Sequence, residues 1–343
     1  MPSRLVDRAP VVAPEALIAG LRPPPLFAGA QLDGYHPDPA QPSQSAAVAA
    51  VRTFAETLWV EPPVTTPARW GRRGRAGVGG RGIYLDGGFG VGKTHLLAAL
   101  WHAAPAPKAY LTFVELTHLA GAVGFSGLVE ALAAMRLVAI DEFELDDPGD
   151  TVLVSSLLGR LAERGVALAA TSNTVPDRLG ERRFATSDFL REIQSLAARF
   201  DTVRIDGPDF RHRSQAPVAI PSSEAQVRAQ AESTPGASLD SFPDLMAHLA
   251  ALHPVRYGAL VEETTAVHLT YVTPVPNQDV ALRLVVLADR LYDRQLPVFA
   301  AGSPLTDVFG DDMLAGGYRK KYLRAISRLA ALTRSEVCDG SST

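Results

Sequence analysis

Between Gly82 and Arg213 apolar positions alternate between two registers. Short apolar runs, GIYLD (82–86), KAYLTF (108–113), RLVAIDEF (136–143), VALAATSN (166–173) and DTVRID (201–206), read as strands. The unbroken run in 137–140 is the kind expected where both faces of a parallel strand are covered. Between the runs, THLLAALWHAA, GLVEALAAM, DDPGDTVLVSSLLGRLAERG and SDFLREIQSLAARF carry helical spacing. In the third of these Leu153, Leu157 and Leu161 recur every four residues; Asp147 can cap it, Pro148 suits its first turn, and Gly165 suits the position past its end. Repeated strand–helix units predict an α/β fold around a mostly parallel sheet.

Outside that region the pattern changes. Residues 1 to about 40 are rich in Pro and Ala and lack a periodic stripe, which predicts an irregular arm. From Pro42 to about Val60 apolar residues at Val48, Val51, Ala55 and Leu58 predict a helix. The Pro- and Gly-rich stretch that follows reads as a loop, with Arg69, Arg72, Arg73, Arg75 and Arg81 and no acidic residue. Residues 215–240, rich in Ser, Pro, Ala and Gln, read as a linker or exposed insertion. Beyond it FPDLMAHLAALH, AVHLTYVTPV, DVALRLVVLADRLYDRQ, LPVFAAG and YRKKYLRAISRLAALT predict helix, strand, helix, strand and a last helix.

Composition narrows the class. The 343 residues suffice for one large domain or two modest ones. A net charge of −4 gives no global attraction to nucleic acid or anionic lipid, so either would need a local patch. The single cysteine, Cys338, forms no internal disulfide and supplies no zinc-ligand set. Asp7, Pro10, Pro14 and Glu15 break up any signal-peptide core, and no run of about 18 apolar residues occurs. The expectation is a soluble cytoplasmic protein with at most peripheral membrane contact.

The chemistry is concentrated after the first strand. Gly87-Gly88-Phe89-Gly90-Val91-Gly92-Lys93-Thr94 matches G-x-x-x-x-G-K-[ST]. Glycines allow a tight loop whose backbone N–H groups, with those up to His95, point at phosphate oxygens, and the following helix adds its positive end. Lys93 is expected to reach the β- and γ-phosphates and Thr94 to hold Mg²⁺. Asp141 and Glu142 end a buried strand, as the magnesium side requires: Asp141 for the ion through water, Glu142 to orient and polarise the attacking water. Asn173, at the end of ALAATSN, suits a hydrogen bond to the γ-phosphate or that water; its alternative is a turn cap before Pro176. An arginine from a neighbouring subunit is drawn from Arg182, Arg183, Arg191 and Arg199, with Arg199 the choice because it ends a helix just before a strand; its alternative is a solvated surface charge. Arg324 and Arg328, in the last helix, are candidates for a lid contact to the γ-phosphate or plain surface charges.

Several of these residues resemble a family. Apolar-DEF, a long helix, ATSN, Pro176 with Asp177-Arg178-Leu179, Phe189-x-x-x-Ile193 and Asp209-Phe210-Arg211 resemble the ZapE-type cell-division ATPases of the AAA+ superclass. So do LADRLYDRQLPVFAAG (287–302), RAISRL (324–329) and Asp38-Pro39-Ala40-Gln41. Many members carry an arginine shortly before the Phe-x-x-x-Ile helix, where this chain has Thr186; the Arg199-Phe200 pair instead resembles the finger of other AAA+ proteins. The resemblance implies an AAA+-like P-loop core over 61–214 after an arm and helix (1–60). A C-terminal α/β extension with a lid-like last helix would span 241–343. It also implies ATP and Mg²⁺ as cofactors, ATP-dependent homo-oligomers and a division-ring protein as client. Two other functions fit the core. One is a helicase-loader-like remodeller of nucleic acid, favoured by the arginine-rich loop and disfavoured by the net charge. The other is a nucleotide-gated scaffold with little turnover, disfavoured by the intact Asp141-Glu142 pair.

Overall fold

The computed structural model describes residues 2–60, 82–145, 148–179, 186–208 and 222–333. The arginine-rich loop, Asp147, Arg182, Arg183 and Cys338 lie outside them. The chain forms two compact units, one of Pro14–Pro23 and Phe27–Arg213, the other of Met1–Ala13, Pro24–Leu26 and Ser214–Thr343. The arm read as one segment is therefore divided between the two units.

The first unit is built on five parallel strands, β1 (Gly82–Gly87), β2 (Lys108–Thr112), β3 (Leu137–Asp141), β4 (Ala167–Ser172) and β5 (Phe200–Ile205), in the order β2-β3-β4-β1-β5. Every residue of β1, β3 and β4 is buried. Alternate side chains feed two cores. Tyr84, Leu111 and Ile140 pack with Leu116, Leu132, Leu157 and Ile193 from the helices Phe113–Val123, Phe125–Ala133, Pro148–Glu163 and Leu190–Ala197. Ile83, Leu85 and Tyr110 pack on the other face with Leu97, Leu100, Val51 and Phe54, from the helices Lys93–Ala103 and Pro42–Thr57. Covering both faces explains the unbroken apolar strands. The helix Phe113–Val123 was not expected from the sequence. It starts at a capping box in which Thr112 Oγ1 accepts from Glu115 N and the Glu115 carboxylate accepts from Thr112 N.

The second unit holds three parallel strands in sequence order, β6 (Ser238–Ser241), β7 (Val267–Val272) and β8 (Val298–Gly302). The helices Phe242–Ala251 and Gln278–Asp293 connect them. Strand β6 was not expected, and the stretch read as a linker contains a helix, Glu224–Ser233. Ser223 and Gln226 cap it reciprocally, and Val227 and Ala231, four apart, are buried. Its polar, Ser- and Gln-rich composition concealed that two-residue stripe. The N-terminus is tied in here: Ser3 bridges Ser238, Asp240 accepts from Leu5 N and Val6 N, and Arg8 donates to the Leu260 and Glu262 carbonyls. No single helix among the described residues is long and apolar enough to cross a membrane.

Candidate nucleotide site

Strand β1 runs into the loop Gly87–Gly92, which enters the helix Lys93–Ala103. Gly90 and Gly92 have φ of 70° and 86°, a region that strains any residue with a Cβ. At Gly92 a Cβ would also stand 2.5 Å from the ring of Tyr35. Lys93 Nζ, at the helix start, donates to the carbonyls of Gly87 (2.9 Å) and Gly88 (2.5 Å) and to Asn173 Oδ1 (2.8 Å). The loop, its lysine and the Asn173 carboxamide are thus joined.

Strand order explains that meeting. Strand β4 lies between β1 and β3, with Leu85 level with Thr171 and Ile140 level with Ala170. Asn173 therefore emerges between the phosphate loop and the Asp141-Glu142 pair. Asp141 is buried at 6% exposure and ringed by donors. Thr94 Oγ1 lies 3.3 Å from its Oδ1, Tyr110 OH donates to Oδ2 at 3.0 Å, Glu142 N to Oδ1 at 3.1 Å, and Thr171 Oγ1 also donates to Oδ1. Burial pushes the Asp141 carboxyl above the ordinary aspartate range and the Glu142 charge adds to it, while the bonds from Thr171, Tyr110 and Thr94 oppose. A carboxylate beside a hydroxyl is an all-oxygen donor set suited to Mg²⁺, and a cation there offsets the cost of burying the charge. The residues present fit that ion.

Glu142 has φ of 56°, rare for a residue with a side chain. Its N–H is held by Asp141 Oδ1 and by Thr171 Oγ1 at 3.0 Å, and Phe143 N donates to the Thr171 carbonyl at 2.7 Å. These bonds keep the turn in a left-handed conformation just past β3.

The remaining candidates fall in different places. Gly88 has open space where a Cβ would stand, and Phe89 is 42% exposed on the loop. Val91 is buried. His95 turns its ring toward the Gln31 carbonyl, 3.0 Å from Nε2. Arg199 immediately precedes β5, at the opposite end of the strands from the loop; six residues of strand separate the two ends by roughly 20 Å. Its guanidinium lies along Gly159, and its Nε is buried. Arg324 and Arg328 are neither exposed charges nor free arms: both bind Asp289, Arg324 at 2.9 Å, with side chains 11% and 16% exposed.

Four contributors escaped the sequence reading. Tyr110, Thr171 and Tyr35 lie in ordinary strand or arm contexts, and only strand register or packing brings them to the site. Asp86, the last residue before Gly87, is 1% exposed and pairs with Arg204 of β5 at 2.5 Å. A buried carboxylate next to a glycine loop was its one visible signal.

A parallel sheet whose inner strand feeds a phosphate loop, facing an Asp-Glu pair two strands away, defines a P-loop ATPase fold. The family model described as AFG1-like ATPase matches residues 11–234 and 216–339, and the chain belongs to that family. It is an ATPase and binds nucleotide. Cell division protein ZapE of Escherichia coli (strain K12) is 27% identical over 299 residues, covering 75% of this chain and 79% of the relative. An uncharacterized protein of Schizosaccharomyces pombe is 25% identical over 173 residues, 44% of this chain and 38% of its own length. Among solved structures, the crystal structure of DnaI matches at a TM-score of 0.43 and 17% identity, over 56% of this chain and 98% of its own.

Proposed function

We propose that this ATPase uses Mg²⁺-dependent ATP hydrolysis to remodel a protein partner in bacterial cell division. The observation that carries the catalytic part is the bond from Lys93 to Asn173 beside the Asp141-Glu142 pair. The division role is supported by the chain's family and by its likeness to the division protein of Escherichia coli.

In this reading the amides of the glycine loop and the Lys93 ammonium hold the β- and γ-phosphates. Thr94 and Asp141 would hold Mg²⁺, which when bound would neutralise phosphate charge. The Glu142 carboxylate takes a proton from the attacking water as its oxygen bonds to the γ-phosphorus. The bond from that phosphorus to the bridging oxygen breaks, and ADP leaves with the electron pair. Asn173 is shared between Lys93 and the γ-phosphate and reports its presence. Arg199 is too far from its own chain's loop and serves the nucleotide of a neighbouring copy, so the active form is an oligomer. Arg324 and Arg328 are structural partners of Asp289 in this reading.

Glu142→Gln should bind ATP as the parent does while phosphate release falls by about 10²-fold or more. Loaded with ATP, that variant should retain the client in a pull-down from which the ADP-loaded parent releases it. Phosphate release at the parent rate would overturn the role of Glu142; equal capture in both nucleotide states would overturn nucleotide-driven remodelling.

A further inference from the structure

Residues Gln31–Asp38 of the N-terminal arm form a strap across the start of the phosphate loop's helix. Tyr35 OH donates to the Val91 carbonyl at 2.8 Å, and its ring lies against Gly92. The strap is fixed on both sides of Tyr35. Before it, the Gln31 carbonyl meets His95 Nε2 at 3.0 Å. After it, Asp38 N donates to Gln44 Oε1 at 2.8 Å, and buried Gln44 donates to the Asp206 carbonyl at 2.9 Å. Leu32 and Tyr35 pack on the core beneath.

A trans peptide points its C=O and N–H in opposite directions. A bond that holds the Val91 carbonyl toward the strap therefore turns the Gly92 N–H away from the strap. Gly92 has a left-handed φ and faces this ring, so the peptide has two restraints, one from the arm and one from its own backbone. We propose that Tyr35 is a positioning residue for the phosphate cradle: its hydroxyl sets the direction of the Gly92 N–H and so the affinity for the diphosphate of the nucleotide. The proposal rests on the reading of this loop as the nucleotide's phosphate site. Burial pushes the Tyr35 hydroxyl above the ordinary tyrosine range, so it keeps its donor proton at neutral pH.

Tyr35→Phe in the full chain removes the hydroxyl and leaves the half-buried ring. Calorimetric titration with ADP should show affinity lower by about five-fold, the value of one hydrogen bond. The KM for ATP should rise by a similar factor while kcat stays within about two-fold. Tyr35→Ala, which also removes the ring, should weaken ADP further. Thermal melting separates this from a packing role: Tyr35→Phe should melt within about 4 °C of the parent. Parent-like ADP affinity in Tyr35→Phe, or a lowered melting temperature with affinity unmoved, would overturn the proposal. Lys93→Ala is the control. If it keeps parent affinity for ADP, the phosphate-site reading itself falls; if it loses binding while Tyr35→Phe does not, only the strap's role falls.

Discussion

Asp141 shows how a single residue's surroundings decide what a motif can do. An aspartate at a strand end is normally solvated, yet here it is buried and its two oxygens receive Thr94, Thr171, Tyr110 and the Glu142 amide. Such bonds orient the carboxylate before any cation arrives, which is the role of outer partners at metal centres. Thr171→Val keeps the side chain's shape and deletes two roles at once, the donor to Asp141 and the acceptor for the Glu142 amide. The expected outcome is a concentration of Mg²⁺ for half-maximal ATPase activity raised by about 10–100-fold, with activity recovered at high Mg²⁺. EDTA should abolish turnover in both proteins. A Mg²⁺ titration curve unchanged by the substitution would remove Thr171 from the site.

At the scale of elements, the five strands of the first sheet were legible, while β6 and several helices were not, for physical reasons. Strands β1, β3 and β4 are buried on both faces, so their sequences are continuous apolar runs, and the glycine loop and the Asp-Glu pair follow directly from them. That Asn173 meets Lys93 was not legible, because it depends on β4 lying between β1 and β3, and strand order leaves no local trace. The helix Glu224–Ser233 was hidden by polarity: only Val227 and Ala231 face inward, while Glu224 and Arg228 pair on its surface. Its start is set by the Ser223–Gln226 box rather than by an apolar stripe. A helix with so little buried surface leans on its cap. Ser223→Ala should therefore cost about 1 kcal/mol, read as a lower urea midpoint for the unit that contains it. Hydrogen exchange should show faster opening of 224–233 than of the Gln278–Asp293 helix; uniform exchange across both would show that the cap is not what limits this helix.

At the scale of the molecule, the C-terminal unit has a charged fastening of its own. In the C-terminal unit Asp289 lies between Arg324 and Arg328 of the last helix, tying that helix to Gln278–Asp293. Burial alone would raise the Asp289 carboxyl, but Arg324, Arg328 and Arg290 outweigh it and hold the carboxyl below the ordinary aspartate range. A depressed folded value means stability that is complete above the unfolded pKa, about 4, and is lost as pH falls through the folded value. The unit's melting temperature should thus fall steeply in acid below about pH 4. Asp289→Asn removes the carboxylate that both half-buried arginines bind and should cost about 3 kcal/mol at neutral pH, with the acid slope reduced. An undiminished slope in the variant would place the acid sensitivity elsewhere.

The ATPase unit poses the opposite question, because in the proposed function a second copy completes its site. The glycine loop lies at the carboxyl ends of the strands and Arg199 at their amino ends, so one copy cannot bring both to the same nucleotide. A head-to-tail assembly can, since each copy then offers its finger edge to the next copy's loop. Two inactive variants test this directly. Lys93→Ala retains Arg199 but loses its phosphate grip; Arg199→Ala retains the phosphate site but offers no finger. Each alone should show at least about 10³-fold less turnover than the parent. Mixed in equal amounts, an Arg199→Ala site beside a Lys93→Ala neighbour has every part it needs. Random mixing in a closed ring makes that pairing at about one interface in four, so the mixture should recover about a quarter of parental turnover per subunit. Recovery should grow with protein concentration, because it requires contact between copies. A mixture no more active than its components, at concentrations where the parent is fully active, would show that Arg199 does not act across copies.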